Sequence, residues 1–178
     1  MATRPASIFP LRVRALWAVG DVLGPARDSL EAVTVALSVD RPEVPWFSEP
    51  PGAQHWANAT RMAHNPIVAW WRSAHEPVWN HRVVRPALVW DAEAGVAEAT
   101  LAAIRAGDGE SVRAAAPDEA AYRARLAREL AVSLRSLREQ TGEYEERRWR
   151  PGKLEPVADA LWRASDGYLD VLAAAEPG

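Results

Sequence analysis

Ala32-Val33-Thr34-Val35-Ala36-Leu37-Ser38-Val39 decides the fold class. Val33, Val35, Leu37 and Val39 alternate with Ala32, Thr34, Ala36 and Ser38, which is the two-residue period of a β-strand. One set is strongly apolar and the other small and nearly neutral. Such a strand belongs in the middle of a sheet or under cover on both faces. Asp40-Arg41-Pro42 ends it.

Upstream, Leu11, Ala15, Leu16 and Val19 recur at helical spacing after Pro10, so residues 10–19 read as a helix that Gly20 stops. Residues 21–24 read as a short strand or turn, broken by Gly24-Pro25. Downstream, Pro42, Pro45, Pro50 and Pro51 deny regular structure to residues 41–56, yet Trp46 and Phe47 demand burial. That combination predicts an ordered loop. Residues 57–74 read as helical, with a restart at Asn65-Pro66, Asn65 as N-cap, and Ile67, Trp70 and Trp71 turned inward.

Val83, Val84, Leu88, Val89 and Trp90 give a second strand over 82–90, where Pro86 implies an edge or a bulge. Residues 95–106 read as a short helix through Val96, Leu101 and Ile104. Two long helices close the chain. Asp118 caps the first, which carries a stripe of Tyr122, Leu126, Leu130, Leu134 and Leu137. Pro151-Gly152 turns into the second, striped by Leu154, Val157, Leu161, Tyr168 and Leu172.

The fold class is therefore α/β, or α+β. A small mixed sheet from residues 21–40 and 82–91 is covered by helices, and a C-terminal antiparallel helical hairpin follows. Residues 1–110 form the α/β core, and residues 111–178 form the hairpin packed on the same domain.

Composition narrows the function classes. The 178 residues are 48% hydrophobic and 25% charged, enough for a core without staples. No cysteine is present, so disulfides and thiolate metal sites are excluded. Met1 to Phe9 lacks the apolar run of a signal peptide, and nothing approaches the ~20 apolar residues that span a bilayer. The expected location is the cytoplasm, away from membranes. A net charge of −3 gives no field to attract nucleic acid.

Six of the nine tryptophans and all four histidines fall between residues 46 and 90, so special chemistry is expected there. No cofactor is implied. His55, His64, His75 and His81 lack the i, i+4 spacing of a helical metal site, and no metal is expected. His64, His75 and His81 are the candidates for general acid–base work, because imidazole titrates near neutrality. The plainer reading is hydrogen-bonded histidines on a polar rim.

Trp56, Trp71 and Trp79 are candidate walls of an aromatic pocket, against the plainer reading of a tryptophan-rich core. Pro77-Val78-Trp79-Asn80-His81-Arg82 is the most site-like stretch. Within and beside it, Asn80, Arg72 and Arg82 are candidates to hold a carboxylate or phosphate. The competing reading has Asn80 and His81 capping backbone groups in a turn. A small-molecule ligand or a protein partner fits these residues, and the apolar stripes of the hairpin could serve a homodimer.

The order helix, Gly20, turn, strand 32–39 resembles the opening of the nucleotidyltransferase fold. In that family a helix leads to a Gly-Ser segment, and the next strand carries an Asp-x-Asp pair that holds magnesium ions. Here Leu16-Trp17-Ala18-Val19-Gly20-Asp21 stands at the Gly-Ser segment, with Asp21 in place of the serine. Ala32-Val33-Thr34 stands at the Asp-x-Asp pair, so both metal carboxylates are missing. The resemblance implies a degenerate, non-catalytic member.

Across most of its length the chain also resembles a family of uncharacterised bacterial proteins. The segments that carry this likeness are Leu16-Trp17-Ala18-Val19-Gly20, Trp56-Ala57-Asn58-Ala59-Thr60-Arg61, Trp70-Trp71-Arg72-Ser73 and Pro77-Val78-Trp79-Asn80-His81-Arg82. It implies no activity.

Overall fold

The computed structural model describes residues 11–27 and 29–176. The chain divides into two compact units. One comprises Met1–Glu43 and Glu49–Ala116, and the other Val44–Ser48 and Pro117–Gly178. Pro10 and the Met1 to Phe9 stretch lie outside the described residues.

The first unit is a five-stranded mixed sheet. Its strands are β1 (Val13–Val19), β2 (Val33–Val39), β3 (Ile67–Ser73), β4 (Ala87–Asp91) and β5 (Gly95–Val96), in the order β3-β2-β1-β4-β5. β1 is antiparallel to both β2 and β4, β4 is antiparallel to β5, and β2 is parallel to β3. Val35 through Val39 are all buried, as expected for an inner strand covered on both faces.

The first expected helix is a strand, and the second, over 57–74, is helical only at 57–59 and 62–64 and a strand from Ile67. Residues 13–19 form β1, at the centre of the sheet. Its register against β2 shifts between Val13 and Ala15, and its register against β4 shifts between Leu16 and Trp17. Bulges add a residue on one side of a pair and break the two-residue alternation. The resulting spacing of Leu11, Ala15, Leu16 and Val19 imitates a helical stripe. Residues 67–73 form β3. The preceding helix α1 covers only Ala53–Ala59. Ile67, Val68, Trp70 and Trp71 are β-branched or aromatic, which favours a strand over a helix. Asn65 is not an N-cap; it closes the 62–64 turn, its N–H donating to the Met62 carbonyl. It is extended, and its Nδ2 donates to the Arg61 carbonyl at 2.7 Å.

Smaller shifts complete the comparison. Gly20–Leu23 is a 3-10 turn, β4 starts at Ala87 just after Pro86, and the expected 95–106 helix is β5 followed by α2 (Glu98–Arg105). On one face of the sheet Ala18, Ala87 and Val89 pack with Leu23, and Leu16, Leu101, Ile104 and Val112 close over them. Gly109 belongs to this layer. A Cβ there would lie 2.7 Å from Leu23 Cα, so only glycine lets the 109–112 turn approach so closely.

The second unit is the expected hairpin of α3 (Glu119–Arg147) and α4 (Glu155–Ala175), which pack closely on one another. Asp118 caps α3, its Oδ1 accepting from the Ala121 N–H at 2.7 Å. Of the expected stripe on α3 only Leu126 is buried; the rest of the buried line is Arg125, Glu129, Val132, Ser133 and Ser136, and Tyr122, Leu130, Leu134 and Leu137 flank it half-buried. Arg125 and Glu129, one turn apart, form an ion pair at 2.9 Å with side chains only 8% and 7% exposed. Burial of the charges is tolerated because each meets the other.

Residues 44–48 belong to this unit and seat on α4. Trp46 is 2% exposed, and its indole N–H donates to Asp170 Oδ2 at 2.8 Å. Its ring stacks on Phe47 at 4.8 Å between centroids. Phe47 holds φ 58°, a left-handed conformation that a bulky residue keeps only when its surroundings impose it. Gly167 makes the seat possible, since a Cβ there would collide with the carbonyl oxygen of Trp46.

Candidate functional site

Of the candidate residues, Trp71, Arg72 and His75 sit at or just beyond the C-terminal end of β3 and Trp79, Asn80, His81 and Arg82 in the loop that follows, whereas His64 precedes β3 and Trp56 lies on α1. β2 and β3 are parallel and β1 antiparallel to β2, so β1 begins where β2 and β3 end. Arg14 from β1, Asp40 just beyond β2 and His75 just beyond β3 therefore meet. Arg14 Nη2 donates to Asp40 Oδ2 at 2.8 Å, and His75 Nε2 lies 3.1 Å from Asp40 Oδ1. The Arg14 hydrogen bond, and after it that from His75, holds the Asp40 carboxyl below its ordinary range. Ser73 Oγ, one position inside the same strand end, donates to the Arg41 carbonyl at 2.6 Å.

The depressed Asp40 carboxyl sets a pH dependence. Its contribution to stability is complete above the ordinary carboxylate pKa of about 3.9 and fades as the pH falls from there through its lower folded value. Asp40→Asn is expected to flatten the acid limb of stability. Urea midpoints at pH 6 and pH 3 should differ less for the variant than for the parent. The change is small because solvent screens exposed charges. An equal acid loss in both proteins contradicts this role.

The loop after β3 is built on two buried polar side chains. Arg72 is 1% exposed, and its Nε donates to the Val78 carbonyl at 2.9 Å, with Nη2 at 3.5 Å from the Trp79 carbonyl. Asn80 is also buried, and its Oδ1 accepts the backbone N–H groups of Arg82 at 2.9 Å and Val83 at 2.8 Å. This is the turn-capping role that competed with ligand binding for Asn80. Arg72 is directed into the loop backbone, and Arg82 is exposed.

The aromatic candidates divide. Trp71 is buried and meets Trp56 of α1 edge-to-face, with centroids 5.9 Å apart at 84°. That geometry is a favourable core contact. Trp79 is half-buried in the loop.

The histidines divide as well. His64 is exposed in the turn before β3, and His75 follows β3. A seven-residue strand separates them by about 23 Å at ~3.3 Å per residue, so they do not share one reacting atom. His55 is exposed on α1, and His81 is half-buried in the loop. Asp91 accepts the N–H groups of Glu93 and Ala94 at 2.8 and 3.1 Å, and these bonds, Ala94 first, lower its pKa. Among the described residues no three His, Cys, Asp or Glu side chains are placed to hold a metal ion. Among them, too, no helix is long and apolar enough to cross a membrane.

Nothing in the sequence brings Arg14 to Asp40. They are 26 positions apart, and only the pairing of Val13 with Val39 makes them neighbours.

The chain thus joins a mixed-sheet α/β unit, with a polar cluster at one sheet end, to a helical hairpin unit that seats residues 44–48. The chain belongs to the family described as Domain of unknown function (DUF7711), whose model matches residues 1–177. No curated protein and no solved structure matches it.

Proposed function

We propose that this chain is a non-catalytic interaction protein of the cytoplasm. One observation carries the reading. The side chains best suited to hold a substrate, Arg72 and Asn80, are buried and bonded to loop backbone, whereas Trp162 and Leu169 of α4 stand 66% and 59% exposed. Seven positions apart, these two share one face of α4, and an apolar strip left in water on a helix face supports a contact role.

The nucleotidyltransferase likeness enters only in its degenerate form. Ala32 and Thr34 are neutral, and the helix that opens that fold is strand β1 here. Glu31 and Asp40 do not replace the missing pair, because they flank opposite ends of β2, about 30 Å apart at ~3.3 Å per residue. With magnesium and a nucleoside triphosphate the protein is expected to release no phosphate. Magnesium-dependent turnover that disappears in Glu31→Gln or Asp40→Asn would overturn the reading.

A small-molecule enzyme is the second reading, favoured by the His75–Asp40 pair, since a carboxylate that orients an imidazole is half of an acid–base relay. His81 and Arg82 of the following loop would then face the substrate, with Trp79 beside them. Hydrolysis of chromogenic esters or phosphates that is lost in His75→Ala would favour this reading over the first.

A further inference from the structure

We infer that the outer edge of β3 is a docking strand, along which an extended segment of a partner protein lies as a sixth strand of the sheet. The segment it fits is apolar in its middle and acidic at the end beside Arg61. This rests on the interaction-protein reading and adds a second contact surface to that of α4.

β3 ends the sheet order, with β2 on one side and, among the described residues, no strand on the other. Its backbone shows which groups are left over. The Val33 N–H donates to the Pro66 carbonyl at 2.9 Å, and the Ala74 N–H donates to the Val39 carbonyl at 2.8 Å. Between these bonds the parallel register runs unbroken from the Val33–Ile67 pair to the Val39–Ser73 pair. Backbone groups alternate sides along a strand, so Val68, Trp70 and Arg72 turn theirs to β2 and Ile67, Ala69 and Trp71 turn theirs away. The Ile67 N–H is held by the Asn65 carbonyl at 2.7 Å. The Ile67 C=O, both groups of Ala69 and the Trp71 N–H meet no hydrogen-bond partner among the described residues. A strand edge in that state is a template for a further strand.

Natural sheets guard such edges with charges, proline or a bulge. From Ile67 to Trp71 the strand has none of these, and Val68 stands 44% exposed. The side chains beside the edge define what fits it. Val68 and Trp70 lie on one face and Ile67 and Ala69 on the other, so the middle of the added strand is apolar on both faces. Arg61 and His64 are exposed in the turn before β3, and Asn65 Nδ2 ties the Arg61 carbonyl to the strand entrance at 2.7 Å. Residues 50–75 contain no aspartate or glutamate. An acid on the partner segment beside Arg61 therefore meets a cation with no competing carboxylate in that stretch. A second β3 would bring no such acid, so a segment of a different protein is the better fit.

Fluorescence anisotropy of the full chain with the labelled peptide Asp-Val-Ala-Val-Ala-Val-Asp tests this, beside a copy with lysine at both ends and a copy with proline in the middle. The acidic peptide should bind and the proline copy should not. Ala69→Pro removes an N–H that points away from β2, so the sheet keeps its ladder while the affinity falls at least about tenfold. Val68→Pro removes a bond to β2 instead and should lower the melting temperature. Arg61→Glu should reverse the preference in favour of the lysine peptide. Amide exchange at Ala69 should slow when the acidic peptide is added. If Ala69→Pro fails to fold, Arg61→Glu and the exchange at Ala69 still decide. A peptide that does not bind overturns the docking edge, as does binding indifferent to both variants. Self-association in sedimentation equilibrium that is lost in Ala69→Pro gives the edge to a second copy and overturns the partner proposed. Failure to bind without nucleotide turnover sinks only the docking edge, whereas turnover sinks the non-catalytic reading whatever the peptide does.

Discussion

Gly167→Ala is expected to expel the 44–48 segment from its seat on α4. The added Cβ would collide with the Trp46 carbonyl oxygen and lie 2.9 Å from its carbon. Both obstacles are backbone atoms, so no rotamer change relieves them. Trp46→Ala reaches the same state from the other side. It removes a side chain that is 2% exposed together with its hydrogen bond to Asp170. Trp→Ala in a core costs about 3–5 kcal/mol, a large share of the roughly 5–15 kcal/mol by which a domain is stable. For a chain of this size each kcal/mol lowers the melting temperature by about 2–4 °C, so a drop of about 10 °C is expected. Trp46→Phe keeps most of the ring area and loses the N–H donor, so it should fall in between. Near-ultraviolet circular dichroism reports the released indole directly. An unaltered melting temperature in Gly167→Ala would show that the segment has another place to go.

The second large effect is expected at Arg72. Arg72→Ala should destabilise the protein by about 3 kcal/mol, because it opens a cavity and leaves the buried Val78 carbonyl without its 2.9 Å donor. Arg72→Lys should recover little, since an ammonium cannot reproduce the planar fork of a guanidinium. His64→Ala, at an exposed turn, should change stability by less than about 0.5 kcal/mol and serves as the reference. The measurement separates two roles for Arg72. A guanidinium that serves the loop destabilises when removed and ignores added phosphate. One that holds an anion would leave the melting temperature nearly intact when removed, and the parent would be stabilised by phosphate through linkage. Thermal melts of parent and variants with and without phosphate decide between them.

What was legible in the sequence followed from local physics. β2 shows an undisturbed alternation, and Asp118 with the long apolar periodicity announces the closing helices, so both were readable. β1 was not, because two register shifts scrambled its alternation into a helical spacing. β3 is a short run in which periodicity alone does not separate strand from helix, and the aromatic and β-branched character of Ile67 to Trp71 was the signal to weigh more heavily. At the site, the turn role of Asn80 could be written from its neighbours. The knot of Arg14, Asp40 and His75 could not, because it exists only once three strand ends are aligned. Nor could the seat of Trp46, which is fixed by a missing Cβ at Gly167.

The bond from Trp46 to Asp170 spans 124 positions. A ribosome adds about 5–20 residues per second, so the indole is made roughly 6–25 s before its acceptor exists. During that interval the nascent chain carries Trp46 and Phe47 in a proline-rich stretch with no α4 to receive them. Residues Val33 to Val39 can already pair with β1 in that time, since both strands have been synthesised. Completion of the hairpin unit is thus a late event of synthesis, and holdase chaperones have their opening while Trp46 waits.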